Sequence, residues 1–213
     1  MARPIRLLVA CAAFLALPAF AQNLVQNGSF ESPALGSGNW GIYPAIPNWT
    51  LVSGSGAEVQ NNVAGAPYAG EQHVELDGND NSAIEQAVPV VPGATYLFTW
   101  AYSPRPGVAS TSNGVEVLVD GNVVGISAAD GTANTDTVWT AYQLLVPANG
   151  PTITLRFRAG GTSDGVGGYI DGVALSPVAA PPATPVDAMS DAMLATMVLA
   201  LAAAGALALT RRG

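Results

Sequence analysis

The chain has 213 residues with seven arginines, no lysine and fifteen acidic residues, so its formal net charge is −8. Between residues 22 and 177 only three arginines face thirteen carboxylates. A surface this acidic repels phosphate backbones, which argues against nucleic acid as a partner. The same carboxylates suit Ca²⁺, a hard cation that binds oxygen atoms, although solubility alone explains them equally well.

The amino-terminal stretch over residues 1–21 has the three parts of a secretion signal. It has a positive start, an apolar middle and the small-residue motif Ala19-Phe20-Ala21. This pattern predicts a signal peptide, export across the inner membrane and a mature chain that begins at Gln22. The single cysteine, Cys11, lies in the apolar middle, so the exported domain has no disulfide and depends on its hydrophobic core.

The carboxy-terminal end predicts a membrane anchor. A Pro/Ala-rich linker over 178–187 leads into the segment 188–213, whose run Met193–Leu209 is apolar except for one threonine. Seventeen such residues lie at the lower limit for a transmembrane helix. The closing Arg211 and Arg212 are expected to stay in the cytoplasm, which places the domain outside the cell.

This end resembles the IPTL-type and PEP-type sorting signals of Gram-negative bacteria. The resemblance lies in Pro185-Val186-Asp187, in Ser190-Asp191, and in the apolar run with its basic tail. It implies a sorting transpeptidase of the exosortase type as a partner and a location at the cell surface or outside the cell. Ala192 stands where such signals carry tryptophan, which leaves open whether the end is processed or remains a membrane anchor.

The body over residues 22–177 reads as an all-β domain. Short alternating runs are bounded by Gly, Pro, Asn and Asp, and no window has a helical period. They amount to about nine or ten strands, enough for two packed sheets. They include a first extended run at 23–31, an aromatic strand at 95–102, a hairpin at 115–126 and a last strand at 168–176.

Alternation also assigns the faces of these strands. Tyr96, Phe98, Trp100 and Tyr102 share one face of their strand, which is the expected core side. Val74 and Leu76 are expected to point away from His73, Glu75 and Asp77. Ile153, Leu155 and Phe157 are expected to point inward, with Arg156 and Arg158 outward.

Five pieces in order resemble the galactose-binding-like jelly rolls, close to the DUF642-type and CBM4/9-type modules of secreted bacterial proteins. They are NLVQNGSFE at 23–31, WT at 49–50, GEQHVELDG at 70–78, PGATYLFTWAYS at 92–103 and GGYIDGVAL at 167–175. The resemblance implies a jelly-roll β-sandwich that often carries a structural Ca²⁺ and binds a glycan. It also implies that the ion lies where the first and last strands meet, with Glu31 and Asp171 as ligands.

The residues themselves leave the metal open. Asp171 is in phase with Val173 and Leu175, and a carboxylate on the core face needs a partner, which is either a cation or donors such as backbone amides or a tyrosine. Asp77 begins the run DGNDN and is a further candidate ligand. Ser82 and Val88 depart from an EF-hand pattern, so an Asx-rich turn is the better interpretation of that run.

The candidate ligand site combines polar groups with exposed aromatic rings. His73 and Glu75 share one strand face, and Tyr102 and Arg105 end the aromatic strand. There are two alternatives for Arg105. It either binds a hydroxyl or carboxylate of a ligand, or it forms an ion pair with Glu75 or Glu116. Trp40 and Trp49 are expected to be exposed for stacking on a sugar, whereas Trp100 and Trp139 are assigned to the core.

Catalysis has little support in the sequence. The body has no lysine, no cysteine and no nucleophile motif such as G-x-S-x-G, and a glycosidase would draw its two carboxylates from Glu71, Glu75 and Asp77. The sequence therefore predicts a non-catalytic, secreted, surface-anchored module that binds carbohydrate or matrix polymer with Ca²⁺ as a structural cofactor. The alternative is a structural or adhesive envelope protein without a small ligand.

Overall fold

The computed structural model describes residues 22–178. The predicted signal peptide, all but the first residue of the predicted linker, and the predicted anchor lie outside the described residues. Within residues 22–178 there is no helix that is long and apolar enough to cross a membrane.

Eleven β-strands form two antiparallel sheets that pack face to face, as the alternating runs predict. The six-stranded sheet has the order β1-β3-β4-β11-β6-β9 and the five-stranded sheet the order β2-β5-β10-β7-β8. This is a β-sandwich of the jelly-roll type. The strands are β1 Asn39–Tyr43, β2 Thr50–Ser53, β3 Ala57–Asn61, β4 His73–Glu75, β5 Ala83–Pro89, β6 Thr95–Ser103, β7 Gly114–Val119, β8 Asn122–Ser127, β9 Thr140–Pro147, β10 Thr152–Gly160 and β11 Tyr169–Pro177.

The core lies between the sheets, and the predicted inward faces supply it. The aromatic face of β6 is buried, and so is the Ile-Leu-Phe face of β10, whereas Arg156 and Arg158 point outward. Val74 and Leu76 are fully buried in the same core. Phe30, Trp49 and Phe157 continue the core with ring centroids 5.5–5.9 Å apart.

At the amino-terminal side of the domain one local prediction was wrong and one strand was not predicted. The run 23–31 is not a strand, because it turns at residues 26–29 and Phe30 has a positive φ of 57°. It is held beside β11 by single hydrogen bonds, such as the one from Leu24 N to Leu175 O at 2.8 Å. Strand β1 was not predicted, since its sequence NWGIY carries a central glycine and forms the edge of its sheet.

The expected inward orientation of Asp171 was also wrong. The register of β11 against β6 shifts between Asp171 and Ala174, as in a β-bulge. Asp171 pairs with Ala101 on the outer side of the sheet, whereas Val173 and Leu175 lie in the core. The extra residue in the bulge therefore breaks the simple alternation and moves the carboxylate to the opposite face.

Candidate ligand-binding groove

The outer face of the six-stranded sheet carries most of the polar and aromatic groups that the sequence singles out. Register places His73 beside Gln60 and places Glu75 between Glu58 and Tyr169. Their neighbours in sequence, such as Val74, point into the core. The outward residues of β3 and β4 are buried, whereas those of β9 are exposed and those in the first half of β6 are exposed or half-buried, so this part of the face is open.

A groove of about 350 Å³ lies over the open half of the face. Its floor is formed by outward residues of β6 and β9, namely Thr99, Ala141 and Gln143. One wall is formed by Tyr68 and Gly172, and Tyr68 is 49% exposed. The groove thus combines an exposed aromatic ring with a threonine hydroxyl and a glutamine amide, which are neutral hydrogen-bonding groups.

The carboxylate of Asp171 holds Tyr68 in this position. Its Oδ2 accepts hydrogen bonds from the backbone N–H groups of Tyr68 at 2.8 Å and Ala69 at 2.9 Å, and its Oδ1 accepts one from Gly172 at 2.6 Å. Burial raises the pKa of Asp171 to about 7, the amide donors oppose this shift, and the nearby Glu31 adds to it.

Gly172 leaves room for the tyrosine ring. Its φ is +59°, and a Cβ atom at this position would lie 2.8 Å from Cδ1 of Tyr68. Any larger residue here is strained and displaces the ring. The wall of the groove therefore depends on a glycine in the β-bulge.

Glu31 and Asp171 anchor the same loop, which leads into β4. Glu31 Oε1 accepts hydrogen bonds from the backbone N–H groups of Glu71 at 2.9 Å and Gln72 at 3.1 Å. For Asp171, amide donors are the alternative partner that the sequence allowed. Two neighbouring carboxylates remain a suitable oxygen donor pair for Ca²⁺, but within residues 22–178 no three His, Cys, Asp or Glu side chains gather as a metal cluster.

Asp77 lies away from this pair and binds protein donors of its own. Its Oδ1 accepts a hydrogen bond from Ser163 Oγ at 3.2 Å and its Oδ2 one from Asp164 N at 3.1 Å. Residues 77–81 form the loop between β4 and β5, in which Asp80 Oδ1 accepts from Ser55 N at 2.8 Å. The run is a polar turn, and Asp77 attaches the loop that precedes β11.

Arg105 and Glu75 form a buried ion pair, which is the second of the two alternatives for Arg105. Glu75 is fully buried, and it accepts hydrogen bonds from Arg105 Nη1, from Gln60 Nε2 at 3.2 Å and from Gly167 N at 2.6 Å. Burial raises the pKa of Glu75, Arg105 opposes the shift and Glu58 adds to it. Neither side chain lines the groove, and a role of this pair in ligand contact stays a prediction.

His73 is likewise buried. Its ring lies between Tyr169, at a centroid distance of 4.3 Å, and Trp139, at 5.7 Å. Burial, with Arg105 nearby, lowers the pKa of His73 to about 4, so the imidazole is neutral at ordinary pH. Its position beneath Trp139 excludes direct contact with a ligand in the open groove.

Tyr102 also supports loops. Its hydroxyl donates to Asn113 O and accepts from Ala129 N, both at 2.9 Å. Burial raises its pKa to about 12. The hydroxyl thus joins the loop before β7 to the loop before β9 from the core side of β6.

The tryptophans are distributed differently from the prediction. Trp40 is 56% exposed as expected and lies on the outer face at the β1 edge, but Trp49 is 4% exposed and packs in the core. Trp100 is in the core as expected. Trp139 is half-buried on the surface, 6.0 Å from Tyr68 by ring centroids, and its Nε1 donates to Ala66 O at 2.9 Å.

The groove residues Tyr68, Thr99 and Gln143 were missed. Tyr68 lies in the loop AGAPYAG, and an aromatic residue among Gly, Ala and Pro is the signal that could have found it. Thr99 and Gln143 carry no local signal, because they meet only through the pairing of β6 with β9.

A family model described as "Protein of unknown function (DUF642)" matches residues 23–176. The chain belongs to the DUF642 family. The match covers all eleven strands except the final residue of β11, so the domain and the family region coincide.

Curated relatives of this DUF642 domain occur in bacteria and in plants. The chain is 29% identical over 158 residues to the multifunctional-autoprocessing repeats-in-toxin of Vibrio vulnificus. The matched region covers 72% of this chain and 3% of the toxin. It is 27% identical over 185 residues to "Protein DUF642 L-GALACTONO-1,4-LACTONE-RESPONSIVE GENE 1" of Arabidopsis thaliana. This matched region covers 77% of this chain and 48% of the plant protein. The chain thus spans a small part of the toxin and about half of the plant relative.

A similar solved structure is a cyclase from Fischerella sp. TAU in complex with 4-(1H-indol-3-yl)butan-2-one. It has a TM-score of 0.53 and 16% sequence identity and covers 76% of this chain and 100% of that chain. At this identity the likeness shows a shared fold alone. It supports the assignment of a β-sandwich fold to the DUF642 domain.

Proposed function

We propose that this protein is a non-catalytic, exported module that binds carbohydrate or extracellular matrix polymer in the groove on its six-stranded sheet. The observation that carries the proposal is the exposed ring of Tyr68 beside the open polar floor of Thr99 and Gln143. An aromatic plane offers stacking area to the C–H face of a sugar, and hydroxyl and amide groups offer hydrogen bonds to its hydroxyls.

Replacing Tyr68 by alanine is expected to weaken polysaccharide binding by about tenfold or more, because the aromatic wall is lost. Affinity electrophoresis of the purified protein in gels that contain single polysaccharides measures this directly. Trp40→Ala is the matched variant, since Trp40 is also about half exposed but lies at the opposite edge of the sheet.

The pair of variants locates the site. Loss of binding in Tyr68→Ala but not in Trp40→Ala supports the groove. Loss in Trp40→Ala alone would move the site to the β1 edge, and binding to no polysaccharide by the wild-type protein would reject the carbohydrate function.

Calcium belongs to the same proposal as a structural cofactor. Glu31 and Asp171 would hold the ion, and it would supply a positive charge between two carboxylates that now rely on backbone amides. Addition of EDTA is then expected to lower the melting temperature, and excess Ca²⁺ is expected to restore it. Differential scanning fluorimetry measures both changes. Identical melting curves with and without EDTA would count against a structural ion.

Delivery to the cell surface completes the proposal and rests on the two ends of the sequence. The signal at residues 1–21 would export the domain, and the segment 188–213 would hold it in the membrane or present it to an exosortase-type sorting transpeptidase. The acidic domain would then face the outside of the cell.

A structural or adhesive role without a small ligand is the second candidate. The edge strands β8 and β9 expose apolar side chains, with Ile126 at 70% and Leu145 at 59%. Exposed edge strands can pair with other chains. Self-association of the protein without glycan binding would favour this role.

A further inference from the structure

The charges around the groove indicate which class of polymer it accepts. Resting on the function proposed above, we propose that the groove binds neutral polysaccharides and discriminates against polymers that carry carboxylates or sulfates. The arginines of the domain lie in ion pairs away from the groove, carboxylates lie behind the groove wall, and neutral groups form the groove floor.

Positive charge is not available at the groove. The sequence contains no lysine, and each arginine within residues 22–178 is bound to a carboxylate. Arg105 is enclosed with Glu75 on the covered half of the outer face. Arg156 pairs with Glu85 at 2.6 Å and Arg158 pairs with Glu116, and both of these pairs lie on the five-stranded sheet.

Negative charge, in contrast, lies directly behind the groove wall. The Asp171 carboxylate binds the backbone of Tyr68, and Glu31 binds the backbone of the same loop at Glu71. On the other side of Tyr68, Asp136 Oδ1 accepts a hydrogen bond from Ala66 N at 2.9 Å. An anionic ligand in the groove would lose hydration without gaining an arginine or lysine partner, and these carboxylates would repel it in their calcium-free, ionised state.

Neutral sugars meet no such opposition. Thr99 and Gln143 face each other across β6 and β9, and each offers both a donor and an acceptor. Alternating donors and acceptors fit the hydroxyl groups of a sugar, which also donate and accept. Tyr68 adds a ring face that can stack on a sugar whether or not the polymer is charged. Discrimination between neutral and acidic polymers therefore arises from the surrounding charges.

The test compares neutral and acidic polymers under one set of conditions. The full-length protein in mild detergent is run in affinity gels with the neutral polymers arabinoxylan, galactomannan or hydroxyethyl cellulose, and with the acidic polymers polygalacturonate, alginate or chondroitin sulfate, all with EDTA. EDTA removes Ca²⁺, which could otherwise bridge an acidic polymer to acidic side chains. Binding to at least one neutral polymer is expected, with affinity for every acidic polymer at least about tenfold lower and lower still as salt is reduced.

A charge-introducing variant sharpens the test. Gln143→Lys places a cation on the groove floor and is expected to raise affinity for the acidic polymers several-fold. Ile126→Lys makes the same change in net charge on the exposed β8 edge of the other sheet and is expected to leave it unchanged. The inference would be overturned if wild type bound acidic polymers as tightly as neutral ones, or if both lysine variants gained the same affinity for acidic polymers. If wild type bound none of the polymers, the proposed function itself would be rejected.

Discussion

Replacing Arg105 by methionine is expected to lower the free energy of unfolding by about 3–5 kcal/mol at pH 8.5, the usual effect of removing one partner from a buried ion pair. Glu75 is fully buried, and Arg105 is its charged partner. Methionine keeps much of the side-chain volume, so the loss reports on charge rather than packing. Urea unfolding followed by tryptophan fluorescence measures it.

The penalty is expected to shrink at pH 5. Burial already raises the pKa of Glu75, and the loss of Arg105 raises it further, so the carboxyl group of the variant takes up a proton in mild acid. A neutral carboxyl still accepts the hydrogen bond from Gly167 N. The double variant Arg105→Met/Glu75→Gln should for the same reason recover part of the stability at pH 8.5.

Arg158→Met is the matched control. Arg158 pairs with Glu116 through the same kind of contact, but both side chains are partly exposed, and such pairs contribute at most about 1 kcal/mol. Equal losses of stability in Arg105→Met and Arg158→Met at pH 8.5 would show that the pair with Glu75 has no special role.

Alternation in the sequence identified the core because most strands of the sandwich are long and have one face in the interior. Strand β6 shows this best, with four aromatic residues at every second position. Alternation does not predict the faces of the chain where strand pairing is irregular. The run 23–31 has the apolar residues Leu24, Val25 and Phe30 but turns on itself, and the bulge at Gly172 reverses the phase of β11 after Asp171.

The site was predicted less well, for a different reason. The sequence correctly separated His73 and Glu75 from Val74 and Leu76, but a local pattern cannot show which parts of an outer face are covered by loops. Loops that arrive from distant positions, such as the one with Gly167, enclose Glu75 and convert a candidate ligand site into an internal support. The open half of the face lies over β6 and β9, where no single segment carries a distinctive motif.

The stability of the wild-type domain in EDTA is expected to fall as pH rises from 5 to 8, by about 2–3 kcal/mol from Asp171 alone. Burial raises the pKa of Asp171 to about 7 in the folded state, whereas its ordinary value is 3.8. Between these values the folded chain binds more protons than the unfolded chain. The stabilising contribution is therefore complete below about pH 3.8 and is lost as pH passes through 7. The raised pKa of Glu75 contributes with the same sign.

Asp171→Asn separates this effect from the others, because asparagine does not titrate and its carbonyl oxygen can still accept from Tyr68 N and Ala69 N. The variant should show a smaller loss of stability between pH 5 and pH 8, measured by urea unfolding at each pH.

Ca²⁺ should act oppositely to acid, since a cation between Glu31 and Asp171 favours the ionised form. It should stabilise the wild type more at pH 8 than at pH 5 and have little effect on Asp171→Asn. Wild-type stability that is flat or rises from pH 5 to pH 8 would contradict the assignment of Asp171 as a buried, proton-binding carboxyl. Because Asp171 also holds the backbone of Tyr68, its titration near pH 7 would couple the pH of the surrounding solution to the position of the groove wall.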